Sequence, residues 1–157
     1  MKITLILIGK TDESYIEQGF KRYMERLCHY TSICVLIIPA VKDASKLSPN
    51  QVKEREASLL LKNIPAGSTV VLLDEKGIEL RSVAFASRMQ KWMNAGIKDL
   101  VFITGGAFGL SDELEKITSY RLSLSKMTFT HQLVRLIFAE QLYRAFTIIR
   151  NEPYHNE

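Results

Sequence analysis

Three glycines lie where an apolar run meets a helix-like segment, in the stretch ITGGAFGLSDEL from Ile103 to Leu114. Glycines at a strand-to-helix junction allow a ligand or another backbone to come very close. The spacing Gly105-Gly106-x-x-Gly109 differs from the GxGxxG of dinucleotide sites, and the stretch has no Lys-Ser/Thr pair of a phosphate-binding loop. The pattern therefore indicates that a ligand or another backbone segment comes close to this loop, but it does not identify a ligand.

The residues after the glycines narrow the chemistry of such a ligand. Helix N-termini attract anions, but Asp112 and Glu113 stand in the first turn expected here and would repel a polyphosphate. Phe108 and Leu110 make the loop apolar as well. We expect a ligand with a flat ring, a polar edge that binds backbone groups, and little negative charge. A tight turn without any ligand is the alternative, and the loop alone does not decide between them.

Two further segments are expected at strand ends, namely Leu73-Asp74-Glu75 and Ser123–Phe129. Open α/β sheets bind ligands beyond the carboxyl ends of their strands. The peptide groups of the second segment could bind a purine edge, with three apolar side chains around the ring. These side chains are Leu124, Met127 and Phe129. The alternative is a connecting loop in which Thr128 or Thr130 only caps the next helix.

The C-terminal part of the chain carries a second group of candidate residues. Glu140 and Arg144 are spaced i, i+4 in the order that stabilises a helix, although Arg144 could instead face a nucleic-acid phosphate. Tyr154 and His155 pair an aromatic ring with an imidazole in a tail of the kind that usually frays. Spacing supports no Ser/His/Asp or Cys/His arrangement, so a covalent mechanism has no support.

The candidate residues must be positioned by the strands and helices of the fold, which alternate along the chain. Short β-branched apolar runs predict five strands: Lys2–Ile8, Ile33–Ile38, Thr69–Leu73, Leu100–Ile103 and Arg121–Leu124. Helical periodicity and capping signals predict five helices: Glu13–Cys28, Ser48 to about Asn63, Ser82–Asn94, Asp112–Ile117 capped by Ser111, and His131–Ile149. This alternation predicts an α/β fold with a mostly parallel sheet and helices on both faces.

Size and charge narrow the class of protein. A chain of 157 residues is expected to form a single domain over residues 1–157. Between Arg121 and Arg150 there are five basic residues and one acidic residue, an excess equal to the net charge of +4 for the whole chain. We interpret this set as suited to nucleic acid, although any single arginine is more simply explained by a solvated helix face.

Hydropathy and cysteine usage exclude other classes. The longest apolar run near the start, Ile3–Ile8, is too short for a signal-peptide core or a membrane span, so we expect a cytoplasmic protein without a membrane. Cys28 and Cys34 form no CxxC motif, and no histidines are paired at ligand spacing. We therefore expect no metal site and two buried thiols.

The block SLSKMTFTHQLVRLIFAEQLYRAFTIIRNEPYH (Ser123–His155), with ITGGAFGL and the opening MKITLILIGK, resembles a known family. It is similar to the small bacterial ribosomal RNA large-subunit methyltransferase H family, part of the SPOUT methyltransferases, over essentially the whole chain. The resemblance implies an S-adenosylmethionine-dependent enzyme that methylates N3 of a pseudouridine in 23S rRNA on the assembled ribosome. It also implies a homodimer and a C-terminal trefoil knot, which general topology rules alone would not predict.

The same resemblance implies roles for individual residues. The implied cofactor contacts lie on the three strand-end segments: Leu73, Gly105, Leu124, Ser125, Lys126, Met127, Thr128 and Phe129. Arg144, Tyr154 and His155 correspond to family positions for substrate and catalysis, with the tail reaching the site across the dimer. We expect direct in-line methyl transfer, in which His155 assists removal of the imide proton and Tyr154 contacts the flipped base.

The chain departs from the family pattern at two places. Asn156-Glu157 follow Tyr154-His155 where a basic residue is frequent, which argues against a phosphate contact there. Thr130 stands where proline is common, so we expect the start of the last helix to be looser.

Two functions of other classes also fit parts of the sequence. A dimeric RNA- or ribosome-binding module that holds a nucleotide without chemistry would use the same basic C-terminal part. A flavodoxin-like phosphate-ligand protein fits less well, because Gly9-Lys10-Thr11 after the first strand is not a Ser/Thr-rich loop.

Overall fold

A parallel sheet forms the centre of the protein, whose computed structural model describes residues 1–118 and 120–156. In the described residues the strand order is β2-β1-β4-β3-β5, and every neighbouring pair is parallel. The strands are β1 (Lys2–Ile8), β2 (Ser32–Ile38), β3 (Thr69–Glu79), β4 (Asp99–Thr104) and β5 (Tyr120–Ser123). The predicted α/β class with a parallel sheet is confirmed.

Helices cover both faces of the sheet, as predicted. Their bounds are α1 (Ser14–Leu27), α2 (Pro49–Asn63), α3 (Ser82–Asn94), α4 (Asp112–Lys116) and α5 (Leu133–Ile149), with a short 3₁₀ turn at Ala44–Lys46. One core joins α1, α3 and α5 to the sheet, and the second core joins α2 and α4 to the opposite face. No helix of the described residues is long and apolar enough to cross a membrane.

Alternation along the central strands explains the two cores. Leu5 and Leu7 of β1 pack into the first core, whereas Ile6 and Ile8 pack into the second, because successive side chains of a strand point to opposite faces. The last helix, α5, lies between α1 and α3, with all its residues buried or half-buried. Its nearly continuous apolar sequence is therefore explained largely by burial within one chain.

Strand β3 is six residues longer than predicted, and this difference shapes the edge of the sheet. Its register with β5 shifts between Leu73 and Ile78, so residues 74–77 bulge out of the ladder. A Cβ on Gly77 would lie 2.7 Å from the backbone of Leu122, so only glycine allows β5 to approach there. The polar sequence DEKG suggested the end of a strand, but pairing resumes beyond it.

The local signals at helix ends had different outcomes. The capping box of α2 is confirmed, because Ser48 and Gln51 bond each other's backbone N–H groups. The Ser111 hydroxyl is buried before α4 and makes no cap, since it has no hydrogen-bond partner in the described part of the chain. Helix α5 begins two residues later than predicted, at Leu133, whose N–H donates to the Thr130 hydroxyl at 3.2 Å. Thr130 thus fixes this helix start, which we had expected to be looser.

The two thiols also differ from expectation. Cys28 follows the end of α1 and is exposed, and Cys34 lies on edge strand β2 and is half-buried, with its Sγ 3.2 Å from the Thr4 hydroxyl. Side chains on an edge strand are less completely covered than those on a central strand. Cys34 is therefore less buried than the apolar sequence of β2 indicated.

Candidate active site

A cavity of about 400 Å³ opens beside the bulge of β3 and the carboxyl ends of β4 and β5. Small-molecule sites commonly occupy roughly 300–1,000 Å³. The cavity is lined by residues of the three segments singled out in the sequence, at the bulge of β3, after β4 and at the end of β5. Parallel strands run in one direction, which is why segments 18 to 50 residues apart in the chain meet at the same edge of the sheet.

The glycine loop after β4 folds tightly on itself beside the cavity. A Cβ on Gly105 would lie 2.7 Å from the carbonyl carbon of Gly109, and Gly109 has a φ of +82° that favours glycine. The Gly109 N–H donates to the Gly106 carbonyl at 3.1 Å. The loop therefore forms the tight turn that its glycines permit, and this turn lines the cavity.

The loop after β5 is held by its own hydroxyls. The Ser123 Oγ donates to the Ser125 carbonyl at 2.9 Å, and the Ser125 Oγ accepts from the Met127 N–H at 2.9 Å. Seven of the eight residues with implied cofactor contacts line the cavity: Leu73, Gly105, Leu124, Ser125, Met127, Thr128 and Phe129. Lys126 lies between two lining residues with its side chain exposed and is not part of the lining.

The charge of the cavity is weakly acidic. Its charged lining residues are Asp74, Glu75, Asp112 and Glu115 with Lys53 and Lys76. The acids still outnumber the lysines when Glu115 is treated as neutralised by Arg121, 3.0 Å away. Such a lining favours a cationic ligand over a polyphosphate. No group of three or more His, Cys, Asp or Glu side chains in residues 1–118 and 120–156 is arranged to hold a metal ion.

His131 and Lys53 also line the cavity, although neither belongs to the three segments singled out in the sequence. Burial and then the charge of Arg135 lower the pKa of His131. A neutral imidazole adds no positive charge to the lining at neutral pH. The position of His131, two residues after the Ser123–Phe129 segment, was a signal in the sequence that it lies near the cavity. Lys53 comes from α2, and nothing in the sequence connects it with this edge of the sheet.

The three predicted catalytic residues form a second cluster at the end of α5. The Arg144 guanidinium donates to Glu140 Oε1 from Nε (3.1 Å) and Nη2 (2.5 Å), and it lies 4.8 Å from the ring centre of Tyr154. The Tyr154 hydroxyl donates to the same Glu140 oxygen at 3.1 Å. His155 Nδ1 lies 3.2 Å from Arg144 Nη1. Glu140 therefore connects Arg144 and Tyr154, and Arg144 connects both to His155.

Protonation in this tail cluster follows from its contacts. Burial, followed by the hydrogen bond with Tyr23, raises the pKa of Tyr154, and the hydrogen bond with Glu140 raises the pKa of Arg144. At neutral pH the phenol keeps its proton and the guanidinium its charge. Because a guanidinium can only donate, His155 accepts through Nδ1, so a neutral His155 ring carries its proton on Nε2.

The tail cluster is separate from the cavity within one chain. Arg144, Tyr154 and His155 are not among the cavity-lining residues. Arg144 follows the lining residue Val134 by ten positions along α5, which corresponds to about 15 Å of helix rise. Within one chain the cavity and the tail cluster therefore do not meet.

The interpretation of the C-terminal basic residues as one functional set is wrong in part. Arg135 is 1% exposed and donates inward, to the Gly9 carbonyl (3.0 Å), the Thr11 hydroxyl (2.9 Å) and the Ile8 carbonyl. Its cation fixes the end of β1 and does not reach the surface. Arg144 and Arg121 are paired with acids. Fewer unpaired positive charges therefore reach the surface of this part of the chain than its net charge indicated.

Comparison with known proteins agrees with this architecture. Residues 1–155 match a family described as "Predicted SPOUT methyltransferase". A protein of Parabacteroides distasonis named ribosomal RNA large subunit methyltransferase H is 49% identical over 157 residues, covering 100% of both chains. One of the same name from Christiangramia forsetii is 49% identical over 99% of both chains.

A solved structure with a similar fold is that of a methylase family protein from Neisseria gonorrhoeae. It has a TM-score of 0.50 and 15% sequence identity, and the match covers 99% of this chain and 86% of that one. At this identity the likeness concerns the fold alone. The match over residues 1–155 and the full-length relatives carry the assignment. The chain belongs to the SPOUT methyltransferase family.

Proposed function

We propose that this methyltransferase uses S-adenosylmethionine to methylate N3 of a pseudouridine in 23S rRNA, on the assembled ribosome in the cytoplasm. The observation that carries the proposal is the weakly acidic cavity lined by the three strand-end segments. The name shared by the full-length relatives, ribosomal RNA large subunit methyltransferase H, supports the RNA target. A binding module without chemistry is disfavoured by membership in a methyltransferase family.

The residues that line the cavity suit this donor. Leu124, Met127 and Phe129 offer apolar surface for a purine ring, and the peptide groups around Gly105 and Leu73 offer hydrogen bonds to its polar edge. When bound, S-adenosylmethionine supplies an electrophilic methyl group on a cationic sulfur. The excess of acidic side chains favours that charge, and a neutral His131 does not oppose it.

We further propose that the tail cluster completes the active site of a second protomer. Because Arg144 lies about 15 Å along α5 from the cavity lining, the cluster would not reach the cavity of its own chain. In a homodimer, the tail cluster of one chain could lie beside the cavity of the other chain. The C-terminal trefoil knot that the resemblance implies stays a prediction.

The tail residues would position the RNA and handle its proton. Arg144 offers a guanidinium for a phosphate, and the half-buried Tyr154 ring offers a face for the target base. Removal of the imide proton by His155 requires a free ring nitrogen, and Nδ1 is engaged by Arg144. We therefore propose that an RNA phosphate draws Arg144 away as the substrate binds, which frees Nδ1 to accept the proton.

Deletion of residues 153–157 tests this division of labour; Glu157 itself lies outside the described residues. Calorimetric titration of the truncated protein with S-adenosylmethionine should give nearly the parental affinity, whereas methyl transfer to ribosomes should be abolished. A shorter deletion of Asn156 and Glu157, which leaves Tyr154 and His155 in place, is the control and should remain active. Turnover by the longer deletion equal to that of the full chain would refute the role of the tail.

The target is tested by mapping methylated nucleotides in ribosomes from cells that lack the protein. We expect one pseudouridine of 23S rRNA to lose its N3 methyl group and to regain it when purified protein and S-adenosylmethionine are added to those ribosomes. Deproteinised 23S rRNA offered in parallel should be a poor substrate if the ribosome supplies part of the binding surface. An unchanged methylation pattern would refute the proposed target.

A further inference from the structure

Glu56 is a buried carboxyl of α2 that lies against the glycine loop of the cavity. Its residue is 6% exposed. A Cβ built on Gly106 would lie 2.6 Å and 2.7 Å from its two carboxylate oxygens, so the carboxylate occupies the space that a side chain at position 106 would need. The Gly106 backbone lies close enough to the Glu56 carboxyl to oppose the rise in its pKa that burial causes. Helix α2 therefore contacts the loop through an ionisable group rather than an apolar one.

The contact fixes the orientation of a peptide that belongs to the cavity wall. The Gly105–Gly106 peptide is trans, so its carbonyl and its N–H point in opposite directions. With the N–H on the side of Glu56, the Gly105 carbonyl is turned away from Glu56. The Gly106 carbonyl accepts from the Gly109 N–H at 3.1 Å. Gly106 is thus contacted from two sides, by the Glu56 carboxylate and by Gly109.

We propose that Glu56 is a positioning residue, which sets the shape of the glycine loop for binding of the methyl donor. The inference rests on the proposed donor site, and it adds a residue from outside the three strand-end segments. Glu56 is not among the cavity-lining residues, so it acts through the Gly105–Gly106 peptide and not by touching the donor.

The burial of Glu56 argues against a purely structural explanation. Its Oε2 has no hydrogen-bond partner in residues 1–118 and 120–156. Burying an ionisable group with an unsatisfied oxygen disfavours the folded state, and burial accordingly raises the pKa of Glu56 while the Gly106 hydrogen bond opposes that shift. An apolar side chain would avoid this cost of burial, but it would offer no oxygen to the Gly106 backbone beside it.

The proposal is tested by comparing Glu56→Ala with Glu56→Gln. Removing the acceptor should weaken S-adenosylmethionine binding about tenfold and raise its KM by a similar factor, with kcat at saturating donor nearly unchanged. Glutamine keeps an acceptor oxygen, so Glu56→Gln should restore the affinity to within about threefold of the parent. Glu54→Gln, an exposed position on the same helix, is the matched control and should behave as the parent.

A compensation experiment isolates the contact itself. Gly106→Ala should weaken donor binding because its Cβ would collide with the Glu56 carboxylate. In the Glu56→Ala background that collision is gone, so the same Gly106→Ala change should have a smaller effect. An equal effect of Gly106→Ala in both backgrounds would overturn the proposal, and so would a folded Glu56→Ala protein with parental donor affinity.

Failure of this inference can be told apart from failure of the donor site. If the parent protein gives no calorimetric signal with S-adenosylmethionine, the proposed function fails. If the parent binds and the variants bind equally well, only the role of Glu56 fails. Amide hydrogen exchange of residues 105–110 without donor is an independent readout, and it should be faster in Glu56→Ala than in Glu56→Gln.

Discussion

The cavity and the tail cluster are built in different ways. The cavity is formed by backbone segments at the bulge of β3 and at the ends of β4 and β5, and five of the six residues of β4 are buried. The tail cluster is formed by side chains on α1, α5 and the C-terminal segment, joined through Glu140. The sheet therefore holds the first site, whereas a few hydrogen bonds hold the second.

This difference suggests how the two sites share the work of one reaction. A donor site benefits from a rigid wall, because a preformed pocket loses less entropy on binding. A substrate site on RNA must exchange protein contacts for RNA contacts, and the half-buried contacts of Arg144 and Tyr154 suit such an exchange. Substitutions in the tail should thus lower turnover, and substitutions in the cavity should lower donor affinity.

The largest effect that would sharpen this contrast is expected for Arg144→Lys. Lysine cannot reproduce the two bonds to Glu140 or the stacking on Tyr154, so we expect turnover on ribosomes to fall about 100-fold. Donor affinity, measured by calorimetry, should stay at the parental value. Arg150→Lys is the control, because Arg150 also stacks on a tyrosine, Tyr30, but lies outside the cluster. Equal losses of turnover and donor affinity in Arg144→Lys would break the contrast.

The reverse pattern is expected for Gly105→Ala. Its Cβ would lie 2.7 Å from the backbone of Gly109, so the loop must shift, and we expect donor affinity to fall roughly 30-fold. The value of kcat at saturating donor should fall much less. Gly19→Ala on α1 is the control, since its Cβ meets only the flexible Leu136 side chain. A variant with normal donor affinity and reduced kcat would contradict the assignment of this loop to the donor.

The same contrast explains how much could be predicted from the sequence. Four of the five predicted strands match to within one residue at each end, because short β-branched runs bounded by turn residues are local signals, and Lys2–Ile8 matches β1. The three cavity segments followed from a general rule about strand ends. The bulge at residues 74–77 did not follow, because Gly77 is explained only by the approach of β5.

Contacts between distant elements were the part that the sequence could not supply. Glu56 stands in an ordinary amphipathic helix, and its meeting with Gly106 depends on how α2 packs on the sheet. Arg135 looked like a surface cation until its burial against the end of β1 was seen. The helix pair Glu140 and Arg144 was predicted from spacing, but its bonds to Tyr154 and His155 depend on the return of the tail.

A smaller effect tests whether charge in the cavity selects the donor. Asp112→Asn removes one acid from the lining, and we expect affinity for S-adenosylmethionine to fall about two- to threefold at low salt. Affinity for the uncharged-sulfur product, S-adenosylhomocysteine, should change less. Glu113→Gln is the control, because Glu113 lies in the same turn but does not line the cavity. Equal changes for donor and product would show that charge at position 112 does not discriminate between them.

The smallest expected effect is the change in melting temperature with pH when the buried carboxyl of Glu56, beside the glycine loop, is replaced. Burial raises the pKa of Glu56 in the folded state, so its contribution is most favourable at acidic pH and is lost as the pH rises through the folded pKa. Glu56→Gln removes this titration, and we expect it to melt about 2 °C above the parent at pH 8, with the difference vanishing near pH 4. Differential scanning calorimetry of both proteins, with Glu54→Gln as the exposed control, measures this shift. If the difference in melting temperature did not change with pH, Glu56 would be neutral between pH 4 and pH 8. The glycine loop would then be contacted by a carboxylic acid rather than by a carboxylate.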